Sequence, residues 1–186
     1  FFTVVGLGRS GFFAQNPLLA PNIVFGWLVL FEALRRIFSV MIKKIVADIP
    51  MMTWLIGIQT YRILGISFLT LHAQGLLPAV FAFSAGYGDI LVGATAPLVA
   101  IWYYRQLPYA LPIAMVWNVV GIADLVVAIG TGWLAFPRPI QILPTTVSTE
   151  LLALFPMVII PLFAVPLALV LHLFCLKSLK VGRDIH

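Results

Sequence analysis

Three ionisable side chains stand inside apolar runs of this chain: Arg62 in "WLIGIQTYRILG", Asp89 in "GYGDILVGATAP" and Asp124 in "VVGIADLVVAIGTG". A charge at the centre of a bilayer costs at least ~2.5–3.5 kcal/mol on insertion scales, so such residues face a bundle interior and pair. A guanidinium carries five donors in a planar fork, so one arginine can bridge two carboxylates. Three chemistries are open to such a triad. It can be a static clasp that fixes helix register. It can handle a proton or cation, because one guanidinium leaves one of two ionised carboxylates unmatched. It can also bind a small polar ligand.

Neighbouring residues extend the polar face. Gln59 lies three residues before Arg62, on the same side of a helix. Asn118, Gly121, Asp124 and Ala128 recur at three- and four-residue steps, and so do Gly86, Asp89, Gly93 and Ala96. Small residues beside each carboxylate let helix backbones approach closely. "GYGDILVGA" and "GIADLVVAI" also echo one another, with an aspartate three residues after a glycine in each.

The histidines invite a pigment or haem reading. His72 falls at the outer end of one apolar run and His172 at the inner end of another, a membrane thickness of about 30 Å apart. That separation excludes both from ligating one haem. Single axial ligation by His72 or His172 stays open, beside the plainer reading of two interfacial, hydrogen-bonded histidines. No cofactor signature accompanies them. Metal-binding helix motifs, Gly-rich phosphate loops and nucleophile elbows are missing from the sequence, so an enzyme is the weakest functional class.

The elements that position these residues follow from composition. Hydrophobic residues form 62% of the 186, charged residues only 9%, and mean hydropathy is +1.11. A soluble domain carries about a quarter charged residues. Runs near the ~20 residues that span a bilayer cover about 21–38, 52–71, 79–103, 110–134 and 151–174. The expected fold is therefore all-α, a single polytopic transmembrane bundle over residues 1–186. With these runs, Arg62 sits near the middle of its span. Asp89 and Asp124 each lie about 3 Å outward of theirs at 1.5 Å rise per residue. Three helices thus bring charge to one depth.

Basic residues set the expected orientation. Arg35, Arg36, Lys43, Lys44, Arg105, Lys177, Lys180 and Arg183 fall on one side, which the positive-inside rule makes cytoplasmic. The N-terminus is then outside and the C-terminus inside, with residues 35–50 a basic cytoplasmic linker. The net charge of +5 is explained by these loops, with no nucleic-acid-binding face. The chain opens at Phe1 within an apolar stretch, which leaves room for a sixth, N-terminal span before it.

Further along, Ser148 or Thr149 is expected to cap the last span, with Glu150 in its first turn. Pro156, Pro161 and Pro166 should kink that span. Cys175 is a small apolar filler.

The runs "WLIGIQTYRILG", "PAVFAFSAGYGDILVGATAP" and "WNVVGIADLVVAIGTG" resemble a family of small uncharacterised bacterial multi-pass inner-membrane proteins, over most of residues 50–175. The resemblance implies a bacterial inner membrane and no particular activity. Small size and aromatic-rich spans suggest an accessory or scaffold subunit of a larger membrane complex. Its partners would be lipid, other membrane subunits or further copies of itself. The competing expectation is a small proton- or cation-linked transporter using Arg62, Asp89 and Asp124.

Overall fold

The computed structural model describes residues 48–137 and 142–183, together with Glu32 and Arg36. The run at 21–38 and most of the basic linker at 35–50 lie outside the described residues. Among the described residues there is no strand, and the architecture is an all-α bundle. Four stretches are long and apolar enough to cross a membrane: Ile49–Ala73, Ala79–Tyr104, Ala110–Leu134 and Ile160–Lys180.

The first of these changes its winding midway. Helix α1 (Ile49–Gly57) passes into a 3-10 segment (Ile58–Gly65), which passes into α2 (Ile66–Ala73). The buried residues change period accordingly. Ile56, Gln59, Arg62, Gly65 and Phe68 are all buried at steps of three. A 3-10 helix has three residues per turn, so these side chains stack on one edge facing the bundle. Runs of this winding longer than three or four residues are uncommon. α2 ends at Gly75, whose positive φ of 73° supplies the left-handed turn that glycine adopts without steric cost.

Helix α3 (Ala79–Tyr104) and helix α4 (Ala110–Leu134) are joined by a short turn and pack on one another. The last span departs from the expected 151–174. Residues Glu150–Ala153 form a single 3-10 turn, and a π turn at Ile160–Ala164 leads into helix α5 (Val165–Arg183). Proline offers no amide donor, so Pro156 and Pro161 interrupt what hydropathy alone reads as continuous helix. The expected side-chain cap does not form: the N-cap of the short turn is Thr149, whose side chain does not cap it, and Ser148 Oγ makes only a local contact, accepting from the Glu150 amide at 3.3 Å. Thr149 instead donates to the Gly132 carbonyl at 2.6 Å, pinning the connection to the end of α4.

Apolar packing is divided by depth. Toward the α3–α4 turn, Met52, Ile56, Val92, Ala96, Trp117 and Leu179 form one cluster, with Cys175 among them. Toward the opposite end, Phe68, Leu77, Phe81, Ala82 and Ala85 form another. The polar side chains sit between the two. Outward faces carry exposed Trp54, Leu64, Leu98, Val116 and Val126, as lipid contact requires.

Candidate functional site

All four described spans close on the guanidinium of Arg62. Its Nε donates to Asp89 Oδ1 of α3 at 2.7 Å, and its Nη2 donates to Asp124 Oδ2 of α4. Nη1 reaches the Gly121 carbonyl of α4 at 3.4 Å and Nε2 of His172, on α5, at 3.2 Å. Four contacts thus use most of the fork. The side chain of Arg62 is 2% exposed, against 18% for Asp89 and 10% for Asp124. The cation lies at the centre and the carboxylates toward its rim.

His172 was expected at the inner end of its span, and the structure places it in the middle of this cluster. The reason is the helix start. With α5 and its π turn beginning at Ile160, the span Ile160–Lys180 has its midpoint close to His172. The ring is buried and stacks at a tilt on Trp117, with centroids 5.2 Å apart. Its tautomer follows from its partners. Asn118 Nδ2 donates to the Ala114 carbonyl at 2.8 Å, so its Oδ1 accepts from His172 Nδ1 at 2.8 Å. Arginine can only donate, so Nε2 is the acceptor. Both ring nitrogens are engaged, and in this arrangement His172 offers no lone pair to a haem or pigment.

Gln59 and Tyr61 bond to the backbone of the last span, at α5 and at the π turn before it. Gln59 Nε2 donates to the Ala168 carbonyl at 3.3 Å, while its buried Oε1 has no partner. Tyr61 donates to the carbonyl of Ala164, the last residue of the π turn, at 3.1 Å. Asn118 meets the triad only through His172. His72 stands apart, half-buried at the end of α2, where Nδ1 donates to the Leu77 carbonyl at 2.9 Å. Its ring lies edge-on to Phe83 at 4.9 Å. Among the described residues, no group of three or more His, Cys, Asp and Glu is placed to hold a metal ion.

Glycines make room for each polar side chain, and they do so in a sequence around the bundle. A methyl at Gly65, where the 3-10 segment ends, would strike Asp89 of α3. At Gly88 of α3 it would strike the carboxylate of Asp124 of α4, and at Gly121 of α4 the ring of His172 of α5. Each span therefore leaves a gap for the polar side chain of the next. Gly93 adds a fourth close approach, against the backbone at Arg62 and Ile63. Reading the sequence as α-helix throughout missed the roles of Tyr61, Gly65 and Gly88. The signal available was the step of three from Ile56 to Phe68.

Fold and site together define a multi-spanning α-helical membrane protein with a buried cluster of one arginine and two aspartates. The chain belongs to the family described as a domain of unknown function (DUF8737), whose model matches residues 18–180. No curated protein and no solved structure matches it.

Proposed function

We propose that the protein is an accessory or scaffold subunit of a larger complex in the bacterial inner membrane. The observation that carries this reading is the convergence of four spans on one guanidinium, with four contacts made. A cluster so fully engaged resists rearrangement, because breaking any one contact leaves a buried polar group unpaired. A rigid bundle presents fixed outer faces to neighbouring membrane helices, and in lipid it is close van der Waals packing against such faces that drives association. The cytoplasmic side is the one carrying Arg105, Lys177 and Lys180, with Arg36 on the same side by chain order. Purification in a mild detergent should recover the chain with stoichiometric membrane partners. Recovery as a lone, monodisperse monomer would sink the proposal.

A second reading rests on a different observation. Two carboxylates face one guanidinium, and both are more exposed than the arginine they share. One proton or one monovalent cation would balance that excess, as in a proton- or cation-linked carrier. Vesicles reconstituted with the protein and a pH-sensitive dye test it. Flux that is the same for wild type and Asp124→Asn would remove that aspartate from any such mechanism.

A further inference from the structure

Arg62 takes one oxygen from each carboxylate, Oδ1 of Asp89 and Oδ2 of Asp124. One negative charge of the cluster is left unmatched, and each aspartate keeps one oxygen without an arginine donor. Among the described residues, Oδ1 of Asp124 makes no hydrogen bond, and the one buried side-chain atom left without a partner is Gln59 Oε1. Asp124 Oδ1 is therefore not sealed in the core but meets open space.

That opening lies at the edge of α4. Gly121 and Leu125, beside Asp124 on the inner flank, are buried. Val120, Ala123 and Val127, beside it on the other flank, are exposed. Across the seam stands Gly88 of α3, half-buried, with exposed Tyr87 and Leu91 as neighbours on its helix. A methyl at Gly88 would fall on Oδ1 itself, so the glycine lets the oxygen reach the lip of the seam and puts no side chain over it. Toward the outer end, the half-buried hydroxyls of Ser84 and Thr131 face one another across the same seam at 3.2 Å.

A carboxylate oxygen at that depth borders hydrocarbon, which cannot solvate it. An ion from solution would have to shed its water and enter the hydrocarbon to reach it. A basic side chain carried by a membrane helix arrives with the helix, and its stem is apolar. The lip also suits a helix. Gly88, Ala123 and Ala128 are small, and small residues let helix backbones approach closely enough for polar groups to meet across the contact.

We propose that the α3–α4 seam at Asp124 docks a membrane-spanning helix of a partner subunit, whose lysine or arginine near mid-span pairs with the Asp124 carboxylate. This docking site rests on the subunit reading above. The probe is a dansyl-labelled poly-leucine helix long enough to cross the bilayer, with a single lysine at its centre, set against the same helix with norleucine there. Energy transfer from the protein's tryptophans, in phosphatidylcholine vesicles, reports association. The lysine helix should reach half-maximal transfer at a mole fraction roughly tenfold lower, as one interhelical polar contact gives between model membrane helices. Asp124→Asn should bring the two helices level. That variant keeps an oxygen for Arg62 and leaves one arginine facing one carboxylate, so it should unfold at the temperature of wild type. Val120→Phe and Val127→Phe, one turn to either side on the exposed flank, should weaken binding of the lysine helix with the carboxylate intact.

Equal association of the two helices with wild type means that a proton or small ion already balances the cluster, and overturns the proposal. A preference that survives Asp124→Asn overturns it as well. So does an equal preference for a lysine moved to the end of the helix, which would be surface attraction alone. Where Asp124→Asn fails to fold, the valine variants decide: binding unchanged in both puts the contact elsewhere and overturns the proposal. The subunit reading fails separately. Partners recovered in mild detergent without a lysine preference leave that reading standing and sink the docking site. A lysine preference in a chain recovered alone sinks that reading, and not the affinity of the seam for a basic helix.

Discussion

Gly86–Asp89 on α3 and Gly121–Asp124 on α4 share the spacing of glycine and aspartate, and both aspartates bind Arg62. Their glycines do different work. Gly86 packs against Leu69 and the Gly65 carbonyl, whereas Gly121 lies under the His172 ring and gives its own carbonyl to Arg62. Between them, Gly88 is the seat of the Asp124 carboxylate, while its counterpart Ala123 is exposed and seats nothing. The echo in sequence thus repeats the charge and not the packing. Two similar turns became unequal because α3 is covered by the first span and α4 by α5.

The largest effect should come from removing what the two turns share. Arg62→Leu leaves two carboxylates facing each other without a cation, and should cost roughly 3–5 kcal/mol, as for other broken buried pairs. Replacing Arg62, Asp89 and Asp124 together by leucine should recover much of that loss, because no buried charge is then unpaired. Thermal unfolding in detergent of wild type, single and triple variants reads both. A single variant as stable as wild type would show that Arg62 does not hold the turns together.

Next in size is the difference between the turns. Gly88→Ala drives a methyl into Asp124 and should destabilise by roughly 1–3 kcal/mol, the range for overpacking. In an Asp124→Ala background the same change should be nearly silent, which a double-mutant cycle measures as coupling. Ala123→Gly, at the matching position of the other turn, should cost only about 0.5–1 kcal/mol of helix propensity. Equal costs at positions 88 and 123 would restore the symmetry denied here.

The α5 side of the comparison is probed by His172→Phe. It keeps a ring under Trp117 but leaves the Asn118 Oδ1 and one arginine donor unpaired, at roughly 1–3 kcal/mol. Adding Asn118→Leu should relieve part of that cost. Tyr61→Phe should have the smallest effect, about 1 kcal/mol for one net hydrogen bond to the Ala164 carbonyl. Should it rival Arg62→Leu, the π turn would be the true anchor of the bundle.

Much of the spanning pattern can be read from hydropathy, because α3 and α4 are uninterrupted apolar helices bounded by Pro78, the α3–α4 turn and Ala135. Counting depth along those runs puts Arg62, Asp89 and Asp124 at one level, where the structure has them hydrogen-bonded. His172 escaped that count because hydropathy is blind to a missing amide donor. Prolines 156 and 161 moved the helix start, and with it the depth of every residue after. The 3-10 winding escaped for a related reason: an apolar run says that a helix crosses, and little about how tightly it is wound. Only the buried step of three betrays it.

That winding has a mechanical side. Eight residues at about 2.0 Å rise instead of 1.5 Å lengthen the first span by roughly 4 Å. At 3.0 residues per turn instead of 3.6, they also turn its two ends by roughly 160° more than an α-helix would. The segment is a screw thread cut to a different pitch from the rod on either side. Met52 and Phe68 point into the same bundle only because of that added rotation. Were the thread to relax to the ordinary pitch, the span would shorten and one end would swing its inner face toward lipid. The length of this span and the aim of its arginine are therefore one variable, and a bilayer of different thickness would press on both at once.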